Sequence, residues 1–200
     1  MCVRIARLTP RRSIQSSACL TEKWLGCGMG RNASTIHRST PVSRVYRQAN
    51  LTGNATALLN NSDWTNQSIQ ADIKPTAFSG ADRWFGLAVR RTDANNYYYV
   101  TARSSGTLQL KKIVNGAVQT LGSTNLAVST GNEYRLRLEA VGTTIRVYLD
   151  GAVALQAIDS SLSHGQAALM MYRTAADYDN VIASPSPQAL SDRVSDAALK

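Results

Sequence analysis

DRWFGLAVRRTDANNYYYVTARSSGTLQLKKIVN, Asp82 to Asn115, holds three short apolar runs parted by turn residues. The runs are Trp84–Arg91, Tyr97–Arg103 and Thr107–Val114, each rich in β-branched or aromatic side chains. Asp93-Ala94-Asn95-Asn96 separates the first two, Ser104-Ser105-Gly106 the next two, and Asn115-Gly116 closes the third. Runs of this composition between Asn, Asp, Ser and Gly clusters predict a β-meander. Apolar residues fall at every second position: Phe85, Leu87 and Val89, then Tyr98, Val100 and Ala102, then Leu108 and Leu110. Successive side chains of a strand point to opposite faces, so this set defines a core face.

The same rule places Trp84, Ala88 and Arg90, then Tyr97, Tyr99, Thr101 and Arg103, then Gln109 and Lys111 on the opposite face. Aromatic rings stack on sugar rings, while Arg, Lys and Gln bond hydroxyls or carboxylates. Arg90, Tyr97, Tyr99, Arg103, Gln109 and Lys111 are therefore the candidate ligand-binding residues. The plain alternative is a solvated outer face, the default for an antiparallel sheet. Arg90, Arg103 and Lys111 are three cations with no carboxylate among the face's residues, an arrangement suited to an anionic, uronate-containing ligand.

On either side of the meander the grammar continues. Ser43 to Gln48 alternates, Thr56 to Leu59 is a short strand, and Gln67 to Lys74 turns Ile69, Ala71 and Ile73 inward before Pro75 closes it. Asn115-Gly116 and Asp150-Gly151 supply the positive φ of type I′ turns and predict two hairpins. Tyr134 to Glu139 alternates, Gly165 to Tyr172 reads as a buried strand, and Ala175 to Ala183 is the last strand. About a dozen strands with tight turns and no crossover helices predict an all-β, antiparallel two-sheet sandwich over residues 42–185. Residues 186–200 form a tail that could hold a short helix.

Residues 1–41 show no hydrophobic period and no apolar block of the kind a secretory signal needs, and they are expected to be a disordered arm or a non-native start. All three cysteines, Cys2, Cys19 and Cys27, lie there at spacings that fit neither a zinc set nor a disulfide framework. The charge of +9 is also concentrated at this end. Eight basic side chains stand against Glu22 within residues 1–44, which leaves 14 basic and 12 acidic in the remainder. A nearly neutral domain gives no reason to expect a nucleic-acid partner. With 44% hydrophobic and 18% charged residues and no run of about eighteen apolar residues, the chain is not expected to span a membrane.

Taken in order, SIQADIKP (Ser68–Pro75), WFGLAVR (Trp84–Arg90), NYYYVTAR (Asn96–Arg103), LQLKKIVNG (Leu108–Gly116), YRLRLEAVG (Tyr134–Gly142), IRVYLDG (Ile145–Gly151) and ADYDNV (Ala176–Val181) resemble the concanavalin A-like lectin/glucanase jelly roll. Within that fold the series is most similar to laminin-G-like modules attached to bacterial pectate lyases and other secreted polysaccharide-degrading enzymes. The resemblance implies a concave sheet that receives a polysaccharide, an extracellular location, and a catalytic domain or enzyme acting on the same polysaccharide as partner. It also implies a structural calcium held by an aspartate before the last strand, a position matched by Asp179. Such a cation wants six to eight oxygens, and the acidic residue expected near the domain start has no counterpart between Glu22 and Asp63. Asp179 is therefore either a calcium ligand or a turn carboxylate capping amides. The same departure implies that the family's usual first strand is missing or replaced, leaving a sheet edge open.

Glycoside hydrolysis needs two carboxylates facing the glycan. The glutamates are Glu22, Glu133 and Glu139, without such spacing. The leading expectation is a non-catalytic carbohydrate-binding module for an acidic, pectate- or alginate-like polysaccharide. One alternative is a jelly-roll lyase acting by β-elimination, with Arg90 or Gln109 at the uronate carboxylate and Lys111, Tyr97 or Tyr99 as base. The other is a laminin-G-like adhesion or protein-interaction module.

Overall fold

The computed structural model describes residues 45–49, 51–59 and 63–185. The expected arm at 1–41 and tail at 186–200 lie outside the described residues. The strands are β1 (Tyr46–Gln48), β2 (Asn54–Leu58), β3 (Gln67–Phe78), β4 (Trp84–Asp93), β5 (Asn96–Arg103), β6 (Thr107–Val114), β7 (Ala117–Asn125), β8 (Tyr134–Val141), β9 (Thr144–Leu149), β10 (Ala152–Ile158), β11 (Gln166–Tyr172) and β12 (Thr174–Ser184). They form two six-stranded sheets. The meander sheet has the order β2-β11-β4-β5-β6-β7, and the second sheet the order β1-β12-β3-β8-β9-β10. Every pairing is antiparallel. Among the described residues no helix is long and apolar enough to cross a membrane.

Period-2 patterning accounts for the core between the sheets. Phe85, Leu87, Val89, Tyr98, Val100, Ala102, Leu108 and Leu110 all turn inward and are fully buried, facing Ile69, Ile73, Leu136, Leu138, Ile145 and Val147 of the second sheet. Burying each large apolar side chain contributes about 1.5–3 kcal/mol. Tyr178 of β12 lies wholly inside and donates its hydroxyl to the Met170 carbonyl of β11 at 2.9 Å, tying the sheets together. The two hairpin turns carry the positive φ their type requires, 50° and 81° at Asn115 and Gly116, 50° and 89° at Asp150 and Gly151.

Among the departures from simple alternation, three bear on the predicted residues. Pro75 does not end β3, which runs on to Phe78 against β12. Pairing of β3 with β8 stops at Ile73 and Tyr134, so the side on which Pro75 lacks an N–H carries no ladder, and its carbonyl accepts the Gly131 amide at 2.8 Å instead. In β12 the register slips between Asp179 and Ile182, and Asn180 takes a positive φ of 48°. In β4 it slips between Val89 and Asp93, and there Arg90 takes a positive φ of 52°. A bulge of this kind re-aims side chains. The short β1 and β2 form one edge of each sheet, β10 and β7 the other.

Candidate functional site

The outer face of the meander sheet is built from rows of side chains in register across the strands. One row runs Ala168, Ala88, Tyr99, Lys111; the next Met170, Gly86, Thr101, Gln109, Ser123; the third Tyr172, Trp84, Arg103, Thr107, Asn125. Tyr97 flanks the first row opposite Ile113. Ala88, Tyr97, Tyr99, Ala168 and Met170 form a second apolar cluster, separate from the main core, with Trp84 and Ile113 against it. Its rings form a band: Trp84 lies 6.0 Å from Tyr99 and 6.4 Å from Tyr172 between centroids, and Tyr97 lies 5.2 Å from Tyr99. Tilted contacts at these separations are favourable for aromatic pairs. Gly86 is obligatory in the middle row, since a Cβ there would fall 1.8 Å from the Val100 carbonyl oxygen. The row thus lacks a side chain between Met170 and Thr101.

Of the six residues expected to bind ligand, the structure brings Tyr97, Tyr99, Arg103, Gln109 and Lys111 onto this face. Arg90 is not among them. The β4 bulge turns it to one end of the sandwich, where it is 2% exposed and donates to the carbonyls of Thr65 at 2.9 Å, Leu162 at 2.9 Å and Gly142 at 2.7 Å. This guanidinium fastens three chain segments and has no reach to a ligand on the meander sheet. Gly165 packs so closely on the same bulge that a Cβ would fall 2.5 Å from the Arg90 carbonyl carbon.

The electrostatics also differ from the expected trio of free cations. Arg103 donates to the Asp82 carboxylate, which is contributed by the turn before β4. Lys111 has no hydrogen-bond or ion-pair partner among the described residues, and burial, helped by nearby Arg103, pulls its pKa down. Of the three expected cations the face therefore keeps one unpaired ammonium and one neutralised guanidinium, and Arg91 and Arg173 bring further guanidiniums over the Tyr97 and Tyr172 rings at 5.6 and 5.1 Å. Burial raises the Tyr97 phenol and pushes Tyr99 up to about 12.

Sequence reasoning had Thr101 and Trp84 on the face but not in the site, and it missed Asp82, Met170 and Tyr172. The signal for the last two is that Gly165 to Tyr172 is apolar on both faces. Ala167, Leu169 and Met171 enter the main core, while Ala168 and Met170 enter the outer cluster.

Among the described residues, the side chains around Asp179 do not assemble the oxygen set a calcium ion needs. Its Oδ1 accepts the Asn180 amide at 2.7 Å, which caps the bulge. Asp72, opposite it in register, receives Arg135 Nε at 2.6 Å, Arg135 Nη2 at 3.1 Å and Asn180 Nδ2 at 2.8 Å. Among the described residues no three Asp, Glu, His or Cys side chains gather as a metal-binding group. The hydrogen bond from Arg135, the largest influence, holds Asp72 below the usual carboxylate range.

The outer face of the second sheet has the opposite character, since its charges satisfy one another. Arg47 forks onto Asp177 at 2.7 and 2.8 Å, Arg137 pairs with Glu139 at 3.1 Å and lies 3.7 Å above the Tyr148 ring, and the Tyr148 hydroxyl donates to Glu139 at 2.9 Å.

No family model matches the chain. A levanase from Bacillus subtilis (strain 168) is 28% identical over 127 residues, which cover 62% of this chain and 18% of the levanase. The carbohydrate-binding module CBM66 from Bacillus subtilis superposes with a TM-score of 0.60 at 25% identity, over 66% of this chain and 83% of the module. A Bacillus subtilis protein of unknown function with a galectin-like fold gives 0.58 at 10% identity, over 72% and 83%. That similarity bears on the fold alone: with its two antiparallel six-stranded sheets the chain has the concanavalin A-like lectin jelly-roll fold.

Proposed function

We propose that the chain is a carbohydrate-binding module that takes a neutral glycan on the outer face of the meander sheet. The observation that carries this reading is the band of Trp84, Tyr97, Tyr99 and Tyr172, gathered in register beside polar side chains. Trp84 and Tyr172 are half-buried and offer ring surface that suits the apolar face of a sugar, while Tyr97 and Tyr99, 8% and 6% exposed, pack beside them. Similarity to CBM66 and to the levanase supports it. An acidic ligand is the weaker choice. Its case rested on Arg90, Arg103 and Lys111, of which Arg90 is buried against carbonyls and Arg103 is paired with Asp82, so that only Lys111 of the three lacks a partner among the described residues. Levan, a neutral fructose polymer, is the first ligand to test, and an accessory role beside an extracellular glycan-degrading enzyme is the biological setting we propose.

Affinity electrophoresis in levan, a neutral β-glucan and polygalacturonate tests this directly. Retardation is expected in a neutral polymer, retained at about 0.5 M salt because little of the binding is charge-based, and reduced at least about tenfold in affinity by Trp84→Ala. Retardation by polygalacturonate alone, abolished by salt, would restore the acidic reading.

A further inference from the structure

Thr101 and Gln109 sit directly opposite each other on β5 and β6 in the middle row of the outer face. The hydroxyl oxygen of Thr101 and the amide oxygen of Gln109 are both buried, and neither meets a hydrogen-bond partner among the described residues. Thr101 is 0% exposed. A buried polar atom left without a partner is unfavourable, and these two belong to residues opposite each other across one strand pair, where a ligand hydroxyl could meet both. Facing residues of an antiparallel pair have Cβ atoms about 4.5–5.5 Å apart, which lets one small ligand group touch both. Lys111, one row away and unpartnered, adds a donor. On the other side of Thr101, Gly86 contributes no side chain.

We propose that Thr101 and Gln109 are the specificity-determining pair of this face and read adjacent hydroxyls of a neutral sugar ring resting on the aromatic band. The inference builds on the glycan-binding function proposed above. An amide oxygen only accepts, and a threonine hydroxyl both donates and accepts. A ligand that satisfies the pair must therefore present a hydroxyl hydrogen to Gln109 Oε1 and a second hydroxyl to Thr101, while the first hydroxyl's oxygen can accept from Lys111 Nζ. An ionised carboxylate has no hydrogen to give and meets the amide oxygen with like polarity. Gln109 and Lys111 are half-buried, unbranched side chains, and access of the ligand to the pair requires them to rotate. The unmet polar atoms of the free protein are thus a local instability that binding relieves.

That trade-off separates a reading role from a packing role. Thr101→Val and Gln109→Met keep shape and remove the unpartnered oxygens. In the full chain each should weaken levan binding about five- to tenfold in affinity electrophoresis, the size of one lost hydrogen bond. The melting temperature should stay level or rise by about 2 °C. Thr101→Ser, which keeps the hydroxyl, should bind within about twofold of wild type. If wild type is retarded by a neutral β-glucan and not by levan, the same variants are measured on that polymer with the same expectations. Unchanged binding in both Val and Met variants overturns this proposal and leaves the glycan reading standing. So does a fall in melting temperature of more than about 3 °C alongside the affinity loss, because the pair would then be structural. Absence of wild-type retardation in every polymer tested removes the glycan reading and this proposal with it.

Discussion

Arg90 shows how far one side chain's role depends on the backbone beneath it. A positive φ at a non-glycine residue is unfavourable by about 1–2 kcal/mol, yet here it aims the guanidinium at three carbonyls contributed by residues 65, 142 and 162. Burial lowers its pKa, with neighbouring Tyr98 opposing. Arg90→Met would remove all three bonds and strand the carbonyls, so we expect a loss of about 3 kcal/mol and a melting temperature about 6–12 °C lower. Glycan affinity of the folded fraction should stay within about twofold, since the residue lies off the binding face. A variant of wild-type stability that no longer binds would return Arg90 to the site.

Strand ends carry the acid sensitivity. Where β5, β6 and the segment after β10 meet, Asp159 accepts from the Tyr98 hydroxyl at 2.6 Å, Lys112 at 2.5 Å and the Ser161 amide at 2.9 Å, with the Asp159 and Lys112 side chains 12% and 14% exposed. Burial pushes the Asp159 carboxyl up, but the bonds from Lys112, Tyr98 and Ser161 together outweigh it and hold the group far below its usual range. A depressed carboxylate contributes stability that is fully present above the unfolded value near 3.9 and is lost as pH falls below it toward the folded value. Asp72 and Asp177, lowered chiefly by hydrogen bonds from Arg135 and Arg47, act in the same direction. Urea midpoints between about pH 2.5 and 6 should therefore fall on the acid side. In Asp159→Asn the protein should be about 2–3 kcal/mol less stable at pH 7, with a shallower acid limb. An unchanged limb would show that the network titrates as it does in the unfolded chain.

The two sheets divide the work of the domain. The outer face of the second sheet is laced with mutually satisfied ion pairs, whereas that of the meander sheet carries the aromatic band with an unpaired lysine and two unmet oxygens. The calcium expectation belongs to the domain as well, because an ion bound to the native state alone would stabilise all of it by linkage. With Asp179 capping its own bulge and Asp72 taken by Arg135, millimolar calcium should leave the melting temperature unchanged within about 1 °C in wild type and in Asp179→Asn. A calcium-dependent rise that Asp179→Asn removes would establish the metal site.

Strand positions, both type I′ hairpins and the inward set from Phe85 to Leu110 were legible in the chain, because a period of two and turn residues with positive φ are local properties that each segment carries alone. The membership of the outer face from β5 and β6 was legible for the same reason, and so Tyr97, Tyr99, Arg103, Gln109 and Lys111 fall where alternation puts them. Alternation fails where the count fails. The extra residues at the β4 bulge re-aim Arg90, and nothing in Val89-Arg90-Arg91 announces them. Long-range pairing is equally silent: that β11 lies beside β4, adding Met170 and Tyr172 to the face, and that Asp82 closes on Arg103, follow from contacts between segments far apart in the chain or across a turn. Whether a cation is free or paired, and whether a polar atom is met or left bare, is a property of neighbours brought together by packing, and no local pattern encodes it.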